Sequence, residues 1–546
     1  MRILICSNIY PPNFIGGAEL IAHYQAKQLV AAGHEVQVFT GDTSPGGHRY
    51  AMRTTVYDGL TVHRIRLEGM DYHSNFVNFF HPRVEQHFSQ CLTTFHPDVV
   101  HCHNIIGLSV KLLCIAREFG AKVVLTLHDH WGFCFKNTIM KEEGIACSDY
   151  SRCDECQPCI DDVGNRRIPM RMRQDYMRLA LGAVDAFVSP SQYLADTYVA
   201  AGLPPDKIHV VWNGIDVDKI AAIDRKSSGG VLRFSFFGYF GRHKGVHTLL
   251  SALPLLKDRQ RVRINLIGDG DQILVYKQQL RENGCANLVK FWGKLDNTQV
   301  GSAYAKTDVL VLPSIWRENQ PVSITEAMAC GIPVIASNMG GIPELVQDGV
   351  TGFIFEAGNP ADLAEKMDRL IADPVLVKNL GRNGQERIRK NSFARQVEKV
   401  VTIYREGAAS STSSVMIDPT VIVCSGQQIY ESCHEAIGIL PHYLGDSQPC
   451  FVMAEWLTQA QLQQASLAWL VDDSFSPADV GKLAGRGLPL LVSERNATLV
   501  AMCRKYRCGL YYHDAHEAAS CIAYLLTHPS ERATIARNAQ SARIKG

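Results

Sequence analysis

The stretch Pro313-Ser314-Ile315-Trp316-Arg317-Glu318-Asn319-Gln320-Pro321-Val322-Ser323-Ile324-Thr325-Glu326-Ala327-Met328-Ala329-Cys330-Gly331 decides how this chain is read. An apolar strand ends just before it at Leu312, a loop carries Glu318, and a helix opens near Val322. Backbone N–H groups at a helix start, with the positive end of the dipole, form a ready anion site. Glu326 lies one turn inside that helix, where a carboxylate can accept hydrogen bonds from two neighbouring hydroxyls. On these residues alone, solvated helix-start carboxylates are an equally good reading of Glu318 and Glu326.

Outward from this stretch the same rhythm repeats. Leu232–Phe237, Arg263–Ile267, Leu288–Trp292, Val309–Leu312, Pro333–Ala336 and Gly352–Phe355 are short apolar runs. Upstream, Ile3–Cys6, Glu35–Phe39, Val99–Cys102, Lys122–Leu127, Phe187–Ser189 and His209–Trp212 form a similar series. Apolar runs alternating with helical patterns predict βαβ units and parallel sheets. Residues 224–230, Asp-Arg-Lys-Ser-Ser-Gly-Gly, suit a hinge between the two blocks. The expected fold is α/β, with two doubly wound domains facing across a cleft: residues 1–223 and 231–390. Such sheets bind ligands at the carboxyl ends of their strands, so the cleft is the expected site.

At 546 residues the chain is too long for one core. Its 55 basic and 54 acidic residues leave a net charge of +1, which gives no electrostatic case for nucleic acid. The five arginines of Arg166–Arg178 read as a solvated helix face. No apolar run spans a bilayer, and no secretory signal is visible at the start. With 17 cysteines scattered through apolar segments, reduced thiols and a cytoplasmic enzyme are expected. Contact with the inner membrane surface stays open.

The wider wording resembles glycosyltransferase family four, the group 1 glycosyl transferases. Glu318 and Glu326 stand seven residues apart, as in that family's E-x7-E region, and Glu-Ala-Met-Ala-Cys-Gly-Ile-Pro-Val-Ile-Ala-Ser continues it. Gly340-Gly341-Ile342-Pro343-Glu344, Ile267-Gly268-Asp269-Gly270, Trp212-Asn213-Gly214, Tyr10-Pro11-Pro12 and Gly16-Gly17-Ala18-Glu19 carry the likeness over residues 1 to about 405. The resemblance implies a GT-B fold and a retaining enzyme that uses a nucleotide sugar as co-substrate, with no cofactor required for catalysis. The acceptor implied is a glycan or lipid-linked sugar of cell-surface polysaccharide assembly. Rivals are a GT-B sugar phosphorylase and a nucleotide-sugar-binding scaffold without turnover.

The resemblance also implies roles. Glu326 holds the donor ribose, and Glu318 contacts the transferred sugar. The backbone of Gln320, Pro321 and Val322 approaches sugar and distal phosphate, and Leu295 falls near the nucleobase. Gly16 and Gly17 let the chain come close to the diphosphate. Lys244 neutralises the leaving diphosphate. Tyr239 stands where the family often has arginine, so Arg242 supplies the missing charge or Lys244 acts alone. His128 sits beside the donor sugar, with His101 and His103 as weaker candidates and Asp129 as an alternative base. The helix around Ser392–Arg405, within residues 391–406, crosses back onto the first domain.

The insert at residues 131–165 carries Cys134, Cys147, Cys153, Cys156 and Cys159, whose C-x-x-C spacings suit a structural zinc on the first four, with Cys159 spare. A redox-sensitive or unligated cluster is the alternative. Residues 407–415 read as a flexible linker at which proteolysis would separate the tail from the two domains. Within that tail, Gly487-Leu488-Pro489-Leu490-Leu491-Val492-Ser493 echoes Gly331-Ile332-Pro333-Val334-Ile335-Ala336-Ser337, and Cys508-Gly509-Leu510 echoes Thr351-Gly352-Phe353. Residues 416–546 are therefore expected to be a degenerate copy of the donor half, kept for oligomer or partner contact. In it, Lys482 stands where Glu326 should be and Asp472-Asp473-Ser474 matches Pro313-Ser314 only loosely.

Overall fold

The computed structural model describes the chain except residues 14–15, 142–145, 163–165, 218–219, 221–222, 224–229, 296, 407–419, 425–430, 445–448, 472–474, 476 and 542–546. Most of the expected hinge, the whole linker, and Asp472-Asp473-Ser474 lie outside the described residues.

The first domain is built on eight strands: β1 (Arg2–Ser7), β2 (Glu35–Asp42), β3 (Met52–Tyr57), β4 (Leu60–Arg66), β5 (Val99–Cys102), β6 (Lys122–Thr126), β9 (Ala186–Ser189) and β10 (Ile208–Val210). Between β6 and β9, β7 (Cys159–Asp162) and β8 (Arg166–Pro169) pair antiparallel as a small separate ribbon. The large sheet runs β10-β9-β6-β5-β1-β2-β4-β3. All its neighbours are parallel except β3 and β4. These two form a hairpin that the sequence reading missed. Its two-residue turn, Asp58-Gly59, takes positive φ at both positions, as a tight hairpin with right-handed twist requires.

The second domain holds β11 (Leu232–Phe237), β12 (Val262–Ile267), β13 (Val289–Gly293), β14 (Val309–Leu312), β15 (Val334–Ser337) and β16 (Gly352–Phe355). Their order is β13-β12-β11-β14-β15-β16, and every pair is parallel. Parallel strands are buried on both faces, which is why Val309–Leu312 and Val334–Ser337 are buried throughout instead of alternating. The Phe393–Arg405 helix, capped by Ser392, returns to the first domain and packs on the Gly17–Ala31 helix. Tyr404 of this helix donates to His101 Nδ1 at 2.6 Å or accepts from it, according to the ring's tautomer.

The tail sheet contains β17 (Thr420–Cys424), β18 (Cys450–Met453), β19 (Leu467–Leu470), β20 (Leu490–Ser493) and β21 (Gly509–Tyr512). Its order, β18-β17-β19-β20-β21, is that of the second domain's sheet without an equivalent of β13. On the β13 side, the edge strand β18 meets the Met170–Gly182 helix of the first domain. There the Phe451 N–H donates to Asp175 Oδ2 at 3.0 Å, and Arg171 Nη2 reaches the Pro449 carbonyl at 3.4 Å. The arginine-rich stretch is thus solvated only in part, with Arg167 and Arg178 exposed. Arg171 and Arg178 flank Asp175, and Arg173 is buried.

Trp456 is fully buried between Phe79 and Tyr176, with ring centroids 4.6 and 4.9 Å away. The Tyr176 hydroxyl donates to the Trp456 carbonyl at 2.5 Å. One apolar cluster runs without a break from the first domain into the tail. A shared core of this kind is expected to hold the pieces together after the linker is cut, against the expectation of a separable tail. We expect a protease site engineered at residues 410–413 to yield two fragments that elute together in gel filtration. Trp456→Ala, which removes a buried indole worth roughly 3–5 kcal/mol, should release the tail after the same cut. Early separation of the wild-type fragments would contradict the shared core.

Candidate functional site

At the carboxyl end of β11 the chain makes one short turn, Arg242–Lys244, and Gly245 follows with φ of 69°. A Cβ on Gly245 would stand 1.8 Å from the Pro313 carbonyl oxygen, so only glycine lets this turn rest on the end of β14. That contact brings Lys244 Nζ to 2.7 Å from Glu318 Oε1. Ser314 Oγ donates to the same carboxylate oxygen at 2.9 Å. Gly341 N–H holds the Glu318 carbonyl at 2.6 Å, and a Cβ on Gly340 would strike that oxygen. Glu318 is only 9% exposed, so its side chain and backbone are both fixed.

Glu326 lies in the Val322–Ala329 helix, which begins at Pro321. Burial pushes its carboxyl above the usual range, while the hydroxyl of Tyr304, donating at 2.7 Å, works in the opposite direction. A cavity of about 520 Å³ opens here between the domains. It is lined on one side by Gly17 and Tyr24, on the other by Tyr304, Val322 and Glu326, and Asp216 is also in its wall. A Cβ on Gly17 would come 3.3 Å from Val322 Cγ2. Gly16 N–H donates to Glu19 at 2.8 Å. Gln320 turns away from the cavity and exchanges two hydrogen bonds with the Asn213 backbone.

Three sequence candidates stand apart from this group. Arg242 is exposed, and its charge acts on His247. Tyr239 is 54% exposed and stacks on His243. Leu295 is half-buried and does not line the cavity. Tyr304 was missed by sequence reading, since a tyrosine inside a helical pattern carries no signal of its own.

Across the cleft, His101, His103 and His128 form a ring stack, with centroids 4.7 and 5.2 Å apart. His103 Nδ1 lies 2.9 Å from His128 Nε2. Burial holds all three neutral: it lowers His101 to about 3 and His128 to about 4, and puts His103 well below its ordinary value. Asp129 is pushed up by burial and accepts the Trp131 N–H at 2.9 Å, so it serves its own turn.

Among the described residues no three of His, Cys, Asp and Glu converge closely enough to hold a metal ion. The thiols of Cys147, Cys153 and Cys156 turn toward separate carbonyls, those of Asp149, Tyr150 and Lys141. Cys134 is half-buried beside them and Cys159 is buried.

The neutral histidines give a pH test. The unfolded chain takes up protons near pH 6.5 that the folded chain refuses, so stability is complete above that pH and falls below it. One such histidine removes on the order of 2 kcal/mol at pH 5. We expect the urea midpoint to drop between pH 7.5 and 5.0, and His101→Gln to reduce that drop. Equal drops in both proteins would contradict burial of a neutral His101.

Comparison with known proteins bears on the family and the fold. Residues 15–219 match the family model described as Glycosyltransferase Family 4, and residues 224–387 match that of Glycosyl transferases group 1. An uncharacterised glycosyltransferase of Methanocaldococcus jannaschii is 24% identical over 426 residues, covering 74% of this chain and 99% of the relative. A glycogen synthase of Mycobacterium tuberculosis is 25% identical over 403 residues, covering 71% and 90%. Among solved structures, Anabaena HepE in complex with UDP superposes with a TM-score of 0.53 at 19% identity, covering 74% of this chain and 99% of that one. Sucrose-phosphate synthase from Thermosynechococcus elongatus gives 0.57 at 19%, covering 74% and 98%. With both halves matched in order on a GT-B fold, the chain belongs to the glycosyltransferases of family 4 and group 1.

Proposed function

We propose that the chain transfers a sugar from a nucleotide-sugar donor to a glycan or lipid-linked acceptor, with retention of configuration, in cell-surface polysaccharide assembly. The observation that carries this reading is the Lys244–Glu318 pair at the carboxyl ends of β11 and β14. Lys244 stabilises charge as it develops on the leaving diphosphate, and Glu318 contacts the transferred sugar. Glu326, half-buried in the wall of the cavity, accepts from the ribose hydroxyls. Neutral His128 positions the sugar by hydrogen bonding without adding charge. A donor nucleotide is supported by the Anabaena neighbour, solved with UDP and with UDP-glucose.

The two carboxylates best placed to act as a nucleophile or base are both engaged. Glu318 is paired with Lys244, and Asp129 is bound to its own turn. This supports attack on the face from which the diphosphate leaves. The acceptor oxygen bonds to the anomeric carbon, the bond to the phosphate oxygen breaks, and that oxygen takes the acceptor's proton. Protein groups contribute position and electrostatics.

In the same reading the tail is a copy of the donor unit without a donor site. Lys482, at the position equivalent to Glu326, has only donors and cannot hold ribose hydroxyls. A lipid-linked acceptor would be met at the membrane surface. Among the described residues no helix is long and apolar enough to cross a membrane.

The reading is tested by two substitutions. Glu326→Ala should weaken donor binding, and Lys244→Ala should chiefly lower kcat, each by roughly 30- to 1,000-fold. The donor is first identified by thermal shift against UDP-, GDP-, ADP- and dTDP-sugars. Near wild-type values for both variants would refute the assignment.

A further inference from the structure

The Gln192–Ala200 helix of the first domain begins with three N–H groups that no helical carbonyl can satisfy. Ser191 Oγ accepts the third, from Leu194. The other two come from Gln192 and Tyr193, and both donate to one carboxylate of the opposite domain. Glu344 Oε2 accepts from Gln192 at 2.8 Å, and Glu344 Oε1 from Tyr193 at 2.6 Å. A carboxylate on the positive end of a helix is a strong, directional contact. The domains also approach closely here, since a Cβ on Gly341 would come 3.0 Å from Ser191 Cβ.

Glu344 is three residues from Gly341, whose N–H holds the Glu318 carbonyl. In the next residue along, Asn319 Nδ2 donates to the His128 carbonyl at 2.7 Å. A rigid path therefore runs from the start of the Gln192–Ala200 helix to the Glu318 loop and back to His128. Arg317 and Tyr193 meet beside it. We propose that Glu344 is a positioning residue that latches the two domains together, fixing the loop of Glu318, and with it the Lys244 pair, against the strand end that carries His128. It touches neither cavity nor Lys244. Its contribution to turnover rests on the glycosyltransferase reading, whereas the latch itself does not.

The test is amide hydrogen exchange at single-residue resolution on the full chain, with and without UDP. Glu344→Ala should speed exchange at Gln192 and Tyr193 by about tenfold or more, with a smaller change at Leu194. Glu344→Gln, which keeps one carbonyl acceptor, should fall between. Unchanged exchange at Gln192 and Tyr193 in Glu344→Ala overturns the latch whether or not the protein turns over. With the donor found by thermal shift, kcat should fall about tenfold in Glu344→Ala, and the donor KM should stay within about twofold. A matching loss of donor affinity would make Glu344 a donor contact and overturn its positioning role. Gln at 344 should restore part of kcat.

Discussion

The ion pair between Lys244 and Glu318 joins two loops that leave different strands, and the cleft is organised around it. The pair forms because Gly245 has no Cβ, which lets the turn after β11 settle on the Pro313 carbonyl. Glu318 is then held on its other flank by Ser314 and, through its backbone, by Gly341. Each partner is short of solvent and has its charge answered by the other. A partly buried pair of this kind is expensive to break by removing one side, because the survivor keeps its desolvation cost. The wall that carries Glu326 follows from the same geometry, since its helix starts only four residues after Glu318.

The facing wall is built on a different principle. His101, His103 and His128 are stacked and uncharged, and of the three His128 is the one that reaches solvent. His101 is tied to Thr126 on one side and to Tyr404 on the other, which links the wall to the helix returning from the second domain. The charged wall and the neutral wall are thereby connected by the return helix as well as by the contacts at Asn319 and Glu344. Chemistry that depends on preorganised dipoles needs such bracing, because a small misplacement removes most of the benefit.

Much of this was legible in the sequence. The strands of both parallel sheets announce themselves as short apolar runs, because burial on two faces leaves little room for polar residues. Glu318, Glu326, Lys244 and His128 follow strands or open helices at places where the fold gathers ligands. What escaped has physical reasons. The β3–β4 hairpin carries polar residues on a half-exposed edge, and its one signal, Asp58-Gly59, is only two residues long. Tyr304 and Glu344 act through tertiary contacts with sequence separations of 22 and about 150 residues, which no local pattern encodes. The arginine run was only half legible for a related reason. Charge on a helix usually means water, but here Asp175 on the same helix neutralises part of it and meets the N–H of an edge strand.

That edge contact bears on the first domain as much as on the tail. The Met170–Gly182 helix lends Tyr176 to the indole of Trp456 and Asp175 to β18, while Arg173 on another side secures the loop at Trp131 and Phe133. A chain without its tail would leave Phe79 and Tyr176 facing water in place of an indole, with the helix flank beside Asp175 unprotected. The first domain is therefore a client of the tail as much as the tail is of it, and neither surface is finished alone.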